Sequence, residues 1–162
     1  MHIIVFFENI GINHYHLFAN ISKQINNNII IDLGTYRGFS ALAFSYNPTN
    51  IVYTYDVEID YAGRHYTEYQ DSKIMTKMNI NRKITNIFTN NISYDDKDIL
   101  LKSSIIFMDA GDHCGKVYEE FLISFLKNNN YKGLVIWDDI YLNNDMRTVW
   151  NSIPNNNINI II

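Results

Sequence analysis

Cysteine is nearly absent. Cys114 stands alone, so no internal disulfide can form and a bridge-stapled secreted scaffold is excluded. A reducing compartment is the expectation. No run of Lys or Arg occurs and the formal net charge is −4, which speaks against a nucleic-acid surface built on bulk positive charge. A short basic lip around a pocket is still compatible with that balance. The N-terminal apolar run, Ile3 to Phe7, is too short for a signal h-region or a membrane span, and no basic segment precedes it. The expectation is a cytoplasmic chain with no membrane partner.

What is present argues for a folded core. The apolar fraction is 47%, with 12 Tyr and 9 Phe in 162 residues. That length suits a single domain, 1–162, burying roughly 70% of its unfolded surface. Asn and Ile together make up close to a third of the chain, a bias that follows A/T-rich codons and points to a viral or otherwise A/T-rich genome. Asn runs at 26–28, 128–130 and 155–157 each precede a strand-like segment. They read as helix-ending turns, because Asn tolerates left-handed backbone.

One stretch carries most of the information: Ile29-Ile30-Ile31-Asp32-Leu33-Gly34-Thr35-Tyr36-Arg37-Gly38-Phe39-Ser40-Ala41. Three β-branched residues make a buried strand, an acid sits at its end, and two glycines four apart open a helix. Glycine is needed where the backbone turns or must approach a ligand closely. A second strand, Ile51 to Tyr55, ends at Asp56, where a nucleotide-binding unit places its ribose-holding carboxylate. Strand, glycine turn, helix, strand and acid in this order indicate an adenosine-type cofactor.

The same alternation continues along the chain. Helical spacing covers 14–25, 37–46, about 61–79, 95–102, 117–127 and 143–153, the last stopped by Pro154. Strands are expected at 29–33, 51–55, 84–89, 105–108, 134–137 and 158–162. Continuous apolar strands alternating with helices mean an α/β fold, a doubly wound and mostly parallel sheet. Ligands bind such sheets beyond the carboxyl ends of the strands. Acids sit at four of those ends: Asp32, Asp56, Asp109 and Asp138-Asp139.

Asp-Leu-Gly-Thr-x-x-Gly-x-Ser at 32–40, Tyr-Asp at 55–56, Met-Asp-Ala-Gly-Asp-His at 108–113 and Gly-Leu-Val-Ile-Trp-Asp-Asp at 133–139 resemble class I S-adenosylmethionine-dependent methyltransferases. Within that class the likeness is to small O-methyltransferases, the cephalosporin-hydroxylase-like and macrolide-sugar families, over residues 14–153. The resemblance implies a Rossmann-like methyltransferase fold and S-adenosylmethionine as cofactor. Gly34 and Gly38 would border its methionine part, with Thr35, Tyr36 and Ser40 also among the cofactor-binding residues, and Asp32 would bind near the amino group, directly or through water. Asp56 would take the ribose hydroxyls, Asn90 and Asn91 would border the adenine, and Asp109 is a further cofactor-binding candidate. Tyr36 stands where a dinucleotide fingerprint has its middle glycine, which disfavours a phosphate resting on the backbone.

In cation-dependent members of that class, acids ending the fourth and fifth strands hold Mg²⁺, and Asp109, Asp138 and Asp139 match those positions. A hard cation suits such oxygens and makes a bound hydroxyl more acidic. The alternative is that Asp139 caps the next helix while Asp109 bonds the cofactor or its loop. His113 is the candidate general base, with Asp109 beside it in the catalytic set, because imidazole titrates near neutral pH. His14, His16 and His65 lack metal spacing with one another. Tyr69 and Lys73 match the Tyr-x-x-x-Lys pair of short-chain dehydrogenases, but between the wrong strands and with the wrong glycine pattern.

The expected activity is therefore methyl transfer to an oxygen of a small-molecule or sugar-like acceptor. A cofactor-binding or assembly module of the same fold without turnover is the alternative. The methyltransferase sheet normally has seven strands, the last antiparallel beside the fifth, and the expectation from six recognisable strand segments is a sheet without that usual last strand. Ile3–Phe7 could replace it at the edge, or a second copy in a homo-oligomer could cover the edge.

Overall fold

β-Branched runs form the strands and Asn-rich turns end the helices, in the alternating order implied by the sequence. The computed structural model describes residues 2–5, 13–57, 72–85, 87, 92–111, 113–115 and 117–153. In chain order the elements are β1 (His2–Val5), α1 (Asn13–Gln24), β2 (Ile29–Leu33), α2 (Phe39–Phe44), β3 (Ile51–Asp56), α3 (Ser72–Met75), β4 (Ile80–Ile84), α4 (Tyr94–Lys102), β5 (Ile105–Met108), α5 (Glu119–Asn128), β6 (Leu134–Trp137) and α6 (Asn144–Asn151). The chain divides into two compact units: residues 10–86, and residues 1–9 together with 87–162.

In the unit of residues 10–86, β3 lies between β2 and β4, and both pairings are parallel. The register sets Asp32 opposite Thr54, and Thr54 opposite Arg82, so these three side chains share one face of the ladder. Ile30, Ile31, Leu33, Val52 and Ile74 are fully buried. Phe18 of α1 stacks on Phe44 of α2 with ring centroids 4.4 Å apart. Each such side chain contributes about 1.5–3 kcal/mol by leaving water. Below the ladder, buried Asn50 donates to the carbonyls of Ser22 and Ile25 and accepts from the Asn28 N–H, which ties α1 to both strands. Asn27 has φ +56°, the left-handed helix-ending turn expected of the first Asn run, and Asn130 repeats it after α5. The third run lies outside the described residues.

In the other unit β6 lies between β1 and β5, again with parallel pairings. Ile105 to Met108 and Val135 to Trp137 are buried. The N-terminal segment therefore does supply an edge strand, but it runs parallel to β6. Residues 158–162, expected as a terminal strand, lie outside the described residues. No helix among the described residues is long and apolar enough to cross a membrane.

Three element boundaries differ from the sequence reading. The third strand is Ile80–Ile84, not 84–89, because it carries the polar run Asn81-Arg82-Lys83 and alternates buried Ile80 with exposed Asn81. A search for continuous apolar runs passes over such a strand. The helix placed at 61–79 is described only from Ser72 to Met75, and its expected last turn is non-helical. Val117 precedes α5 and is exposed, so the apolar stripe begins with Phe121.

Candidate cofactor and metal sites

Gly34 follows β2 with φ +103°, and the N–H groups of Gly34 and Thr35 both donate to the Tyr55 carbonyl. The loop is thereby laid across the end of β3. Gly38, at φ +78°, ends it and opens α2. A Cβ at Gly38 would meet Ile74 Cγ2 at 2.7 Å, so this glycine has a packing reason to be glycine, not only a ligand-approach one.

Two carboxylates flank the loop. Asp56 accepts the Tyr36 N–H on Oδ2 at 2.9 Å and the Val57 N–H on Oδ1 at 2.8 Å. Each oxygen retains a second lone pair. Burial raises the Asp56 pKa above its ordinary value, against those backbone bonds and the charge of Arg82. Asp32 is fully buried. Its Oδ2 accepts the Thr54 hydroxyl at 2.6 Å, while Oδ1 has no hydrogen-bond partner. Burial pushes the Asp32 carboxyl up to about 7, opposed by Thr54 and by the nearby Ser40 hydroxyl, and reinforced by the charge of Asp56. An orphaned buried carboxylate oxygen fits a cationic partner, because a lone ionised acid in an apolar site is costly. The ammonium of an amino-acid-bearing ligand has that chemistry.

Tyr36 is half exposed, at φ +39°, with the Arg37 guanidinium 5.5 Å from its ring centre. Ser40 is buried in the first turn of α2. Thr35, Gly34, Tyr36, Gly38, Ser40, Asp32 and Asp56 thus lie on this loop and the elements that flank it. Asn90 and Asn91 lie outside the described residues. The reading missed Thr54 and Arg82. Thr54 was visible in principle as a hydroxyl in the apolar strand Ile51–Asp56 at the position that parallel pairing sets opposite Asp32. Arg82 has buried Nε and Nη2 groups with no hydrogen-bond partner, and its charge acts on Asp56.

A second constellation belongs to the unit that contains β5 and β6. One ligand atom each from Asp109, His113 and Asp139 fall within 4.8 Å of one another, and His113 Nε2 lies 3.7 Å from Asp139 Oδ2. His113 and Asp139 both adopt positive φ, +52° and +55°. Asp138, expected among the metal ligands, is not in this group; its Oδ1 accepts the Asp139 N–H at 2.8 Å. Adjacent residues after a strand point different ways, and the left-handed turn at Asp139 turns that side chain toward His113. Asp139 does not cap the following helix either, since Asn143 Oδ1 accepts the Met146 N–H there. Two carboxylates and an imidazole suit a divalent cation, and the imidazole shifts preference toward Zn²⁺ and away from Mg²⁺.

Comparison with solved structures decides the architecture. A protein of Staphylococcus aureus, provisionally named a caffeoyl-CoA O-methyltransferase, matches with TM-score 0.58 and 14% identity over 91% of this chain. The fold is the Rossmann-like methyltransferase fold. PH0851 matches with TM-score 0.50 and 11% identity over 86% of this chain. The chain spans 66% of the first protein's length and 37% of the second's. No family model and no curated protein matches it. The likeness of motif order read from the sequence thus agrees with the methyltransferase fold seen in three dimensions.

Proposed function

We propose that the chain binds S-adenosylmethionine and transfers its methyl group to an oxygen of a small-molecule or sugar-like acceptor. The observation that carries this reading is the buried, orphaned Oδ1 of Asp32 beside a glycine loop, with Asp56 at the end of the neighbouring strand. Asp32 would hold the amino group and Asp56 the ribose hydroxyls, while the Gly34–Gly38 loop would border the methionine part. Bound there, the cofactor supplies a sulfonium methyl group, an electrophile that needs an aligned nucleophile more than acid catalysis. Oxygen as the acceptor atom is supported by the name of the Staphylococcus aureus protein, an O-methyltransferase.

Asp109, His113 and Asp139, in the unit that contains β5 and β6, are a candidate site of their own for a divalent cation or for proton transfer. Without a cation, His113 would accept the proton of a hydroxyl and Asp139 would stabilise the resulting imidazolium. If a divalent cation is held there, the same three groups would be its ligands, and it would supply Lewis acidity that makes a hydroxyl more acidic.

Calorimetric titration of the chain with S-adenosylmethionine and S-adenosylhomocysteine tests the reading. Binding of both is expected, and absence of binding for either at millimolar concentration overturns it. Tight binding without turnover on any hydroxyl acceptor would favour the cofactor-binding module instead.

A further inference from the structure

Asp32, Thr54 and Thr35 form a chain of oxygens inside the unit of residues 10–86. Thr54 Oγ1 donates to Asp32 Oδ2 at 2.6 Å, and Thr35 Oγ1 lies 2.7 Å from Thr54 Oγ1. The two hydroxyl residues are 0% and 1% exposed, so water does not compete for either. A hydroxyl has one proton to give. While Asp32 is a carboxylate, Thr54 must donate to it, and Thr35 must then donate to Thr54. When Asp32 is a neutral acid, its own proton can point at Thr54, the chain reverses, and the Thr35 proton is released from that bond. Thr35 sits between Gly34 and Tyr36, and its N–H shares the Tyr55 carbonyl with Gly34. The far end of the chain is therefore the glycine loop itself.

We propose that Thr54 and Thr35 are positioning residues: their hydroxyls form a directional relay that fixes which oxygen of Asp32 faces a cationic ligand and carries the charge state of Asp32 to the glycine loop. The ligand half of this rests on the cofactor reading above; the relay half does not. The charged group acting on Asp32 among the described residues is Asp56 of β3, which opposes its ionisation. Arg82 of β4 acts on Asp56, and α2 offers the neutral Ser40 hydroxyl. When an ammonium arrives at Oδ1, the acid O–H of Asp32 breaks, its proton leaves to solvent, and the relay locks toward the carboxylate. No covalent bond to the ligand forms.

Two measurements on the full chain test the proposal. The first is the carboxyl ¹³C titration of Asp32 without ligand, in wild type, Thr54→Val, Thr54→Ser, Thr35→Val and Thr35→Ser. Both valine variants should titrate at higher pH than wild type, and both serine variants should return to it. Thr35 does not touch Asp32, so a purely structural role would leave the Thr35→Val midpoint where wild type has it; that result overturns the relay even if Thr54→Val fails to fold. The second is calorimetry with S-adenosylhomocysteine at about pH 6, in two buffers of different ionisation enthalpy. Binding should release close to one proton and tighten about tenfold per pH unit up to about pH 7. 5′-Methylthioadenosine, which lacks the amino group, should release none. Equal proton release by the two ligands overturns the assignment of Oδ1 to the amino group. If S-adenosylhomocysteine does not bind, the cofactor reading falls and the ligand-free titration still decides the relay.

Discussion

Gly38 and Ile74 occupy space that a single added methyl would contest: a Cβ on Gly38 would lie 2.7 Å from Ile74 Cγ2. Ile74 is fully buried and branched at Cβ, so it has little freedom to withdraw. Gly38 also sits at φ +78°, where an L side chain is strained. Gly38→Ala should therefore destabilise the chain by about 2–4 kcal/mol, conformational strain and overpacking together. In an Ile74→Ala background only the strain of about 1–2 kcal/mol should remain. A denaturant double-mutant cycle with no coupling between the two sites would refute the packing explanation.

Asp56 holds the loop as well as being the proposed ribose ligand. Its Oδ2 accepts the Tyr36 N–H and its Oδ1 the Val57 N–H. Asp56→Ala should weaken S-adenosylhomocysteine binding by about 2–3 kcal/mol, because two charge-assisted hydrogen bonds are lost. From sequence alone thermal stability would hardly change. The two backbone bonds alter that expectation to a loss of about 1 kcal/mol even without ligand. Normal calorimetric affinity in this variant would move the ribose elsewhere.

These two cases show what was legible. Gly38 and Asp56 were recognisable because glycine at a turn and acid at a strand end are local signals, readable from neighbours in the chain. Thr54 was not, since its importance depends on parallel pairing with a strand 22 residues earlier. Strands β2, β3, β5 and β6 were recognised by continuous apolar runs. β4 was misplaced because Asn81, Arg82 and Lys83 give it the polarity of a loop. At the metal-compatible cluster, Asp109 and Asp139 followed from strand ends. The substitution of His113 for Asp138 depended on a left-handed turn at Asp139 that sequence does not announce.

Asp32 gives a pH dependence whose sign can be worked out. Its carboxyl is raised from 3.8 to about 7 by burial. The folded chain therefore keeps this proton where the unfolded chain has lost it. The stabilisation is complete below about pH 4 and is lost as pH rises through about 7. Asp32→Asn keeps the shape without the charge, so its stability relative to wild type should climb across that window, by at most about 4 kcal/mol. Urea unfolding of both proteins between about pH 4 and pH 8 measures the difference. A gap that shrinks with rising pH would mean that Asp32 is ionised in the fold and compensated by a cation or a hydrogen bond.

Asp109, His113 and Asp139 offer a test that separates a metal centre from a proton relay. If they hold a divalent cation, Zn²⁺ should raise the melting temperature more than Mg²⁺ does, because an imidazole ligand suits Zn²⁺ while Mg²⁺ prefers an all-oxygen shell. Asp139→Ala and His113→Ala should each abolish that rise, since removing one of three protein ligands leaves too few to compete with water. Asp138→Ala should preserve it, because Asp138 is outside the group and its Oδ1 accepts the Asp139 N–H. Loss of the metal response in Asp138→Ala alone would restore the ligand set expected from sequence. Under the proton relay, no cation shifts the melting curve, a chelator leaves methyl transfer unchanged, and His113→Ala lowers its rate about 10²-fold or more. Methyl transfer that survives both chelator and His113→Ala would remove this cluster from the reaction, because neither a bound cation nor the imidazole would then be needed to take the acceptor proton.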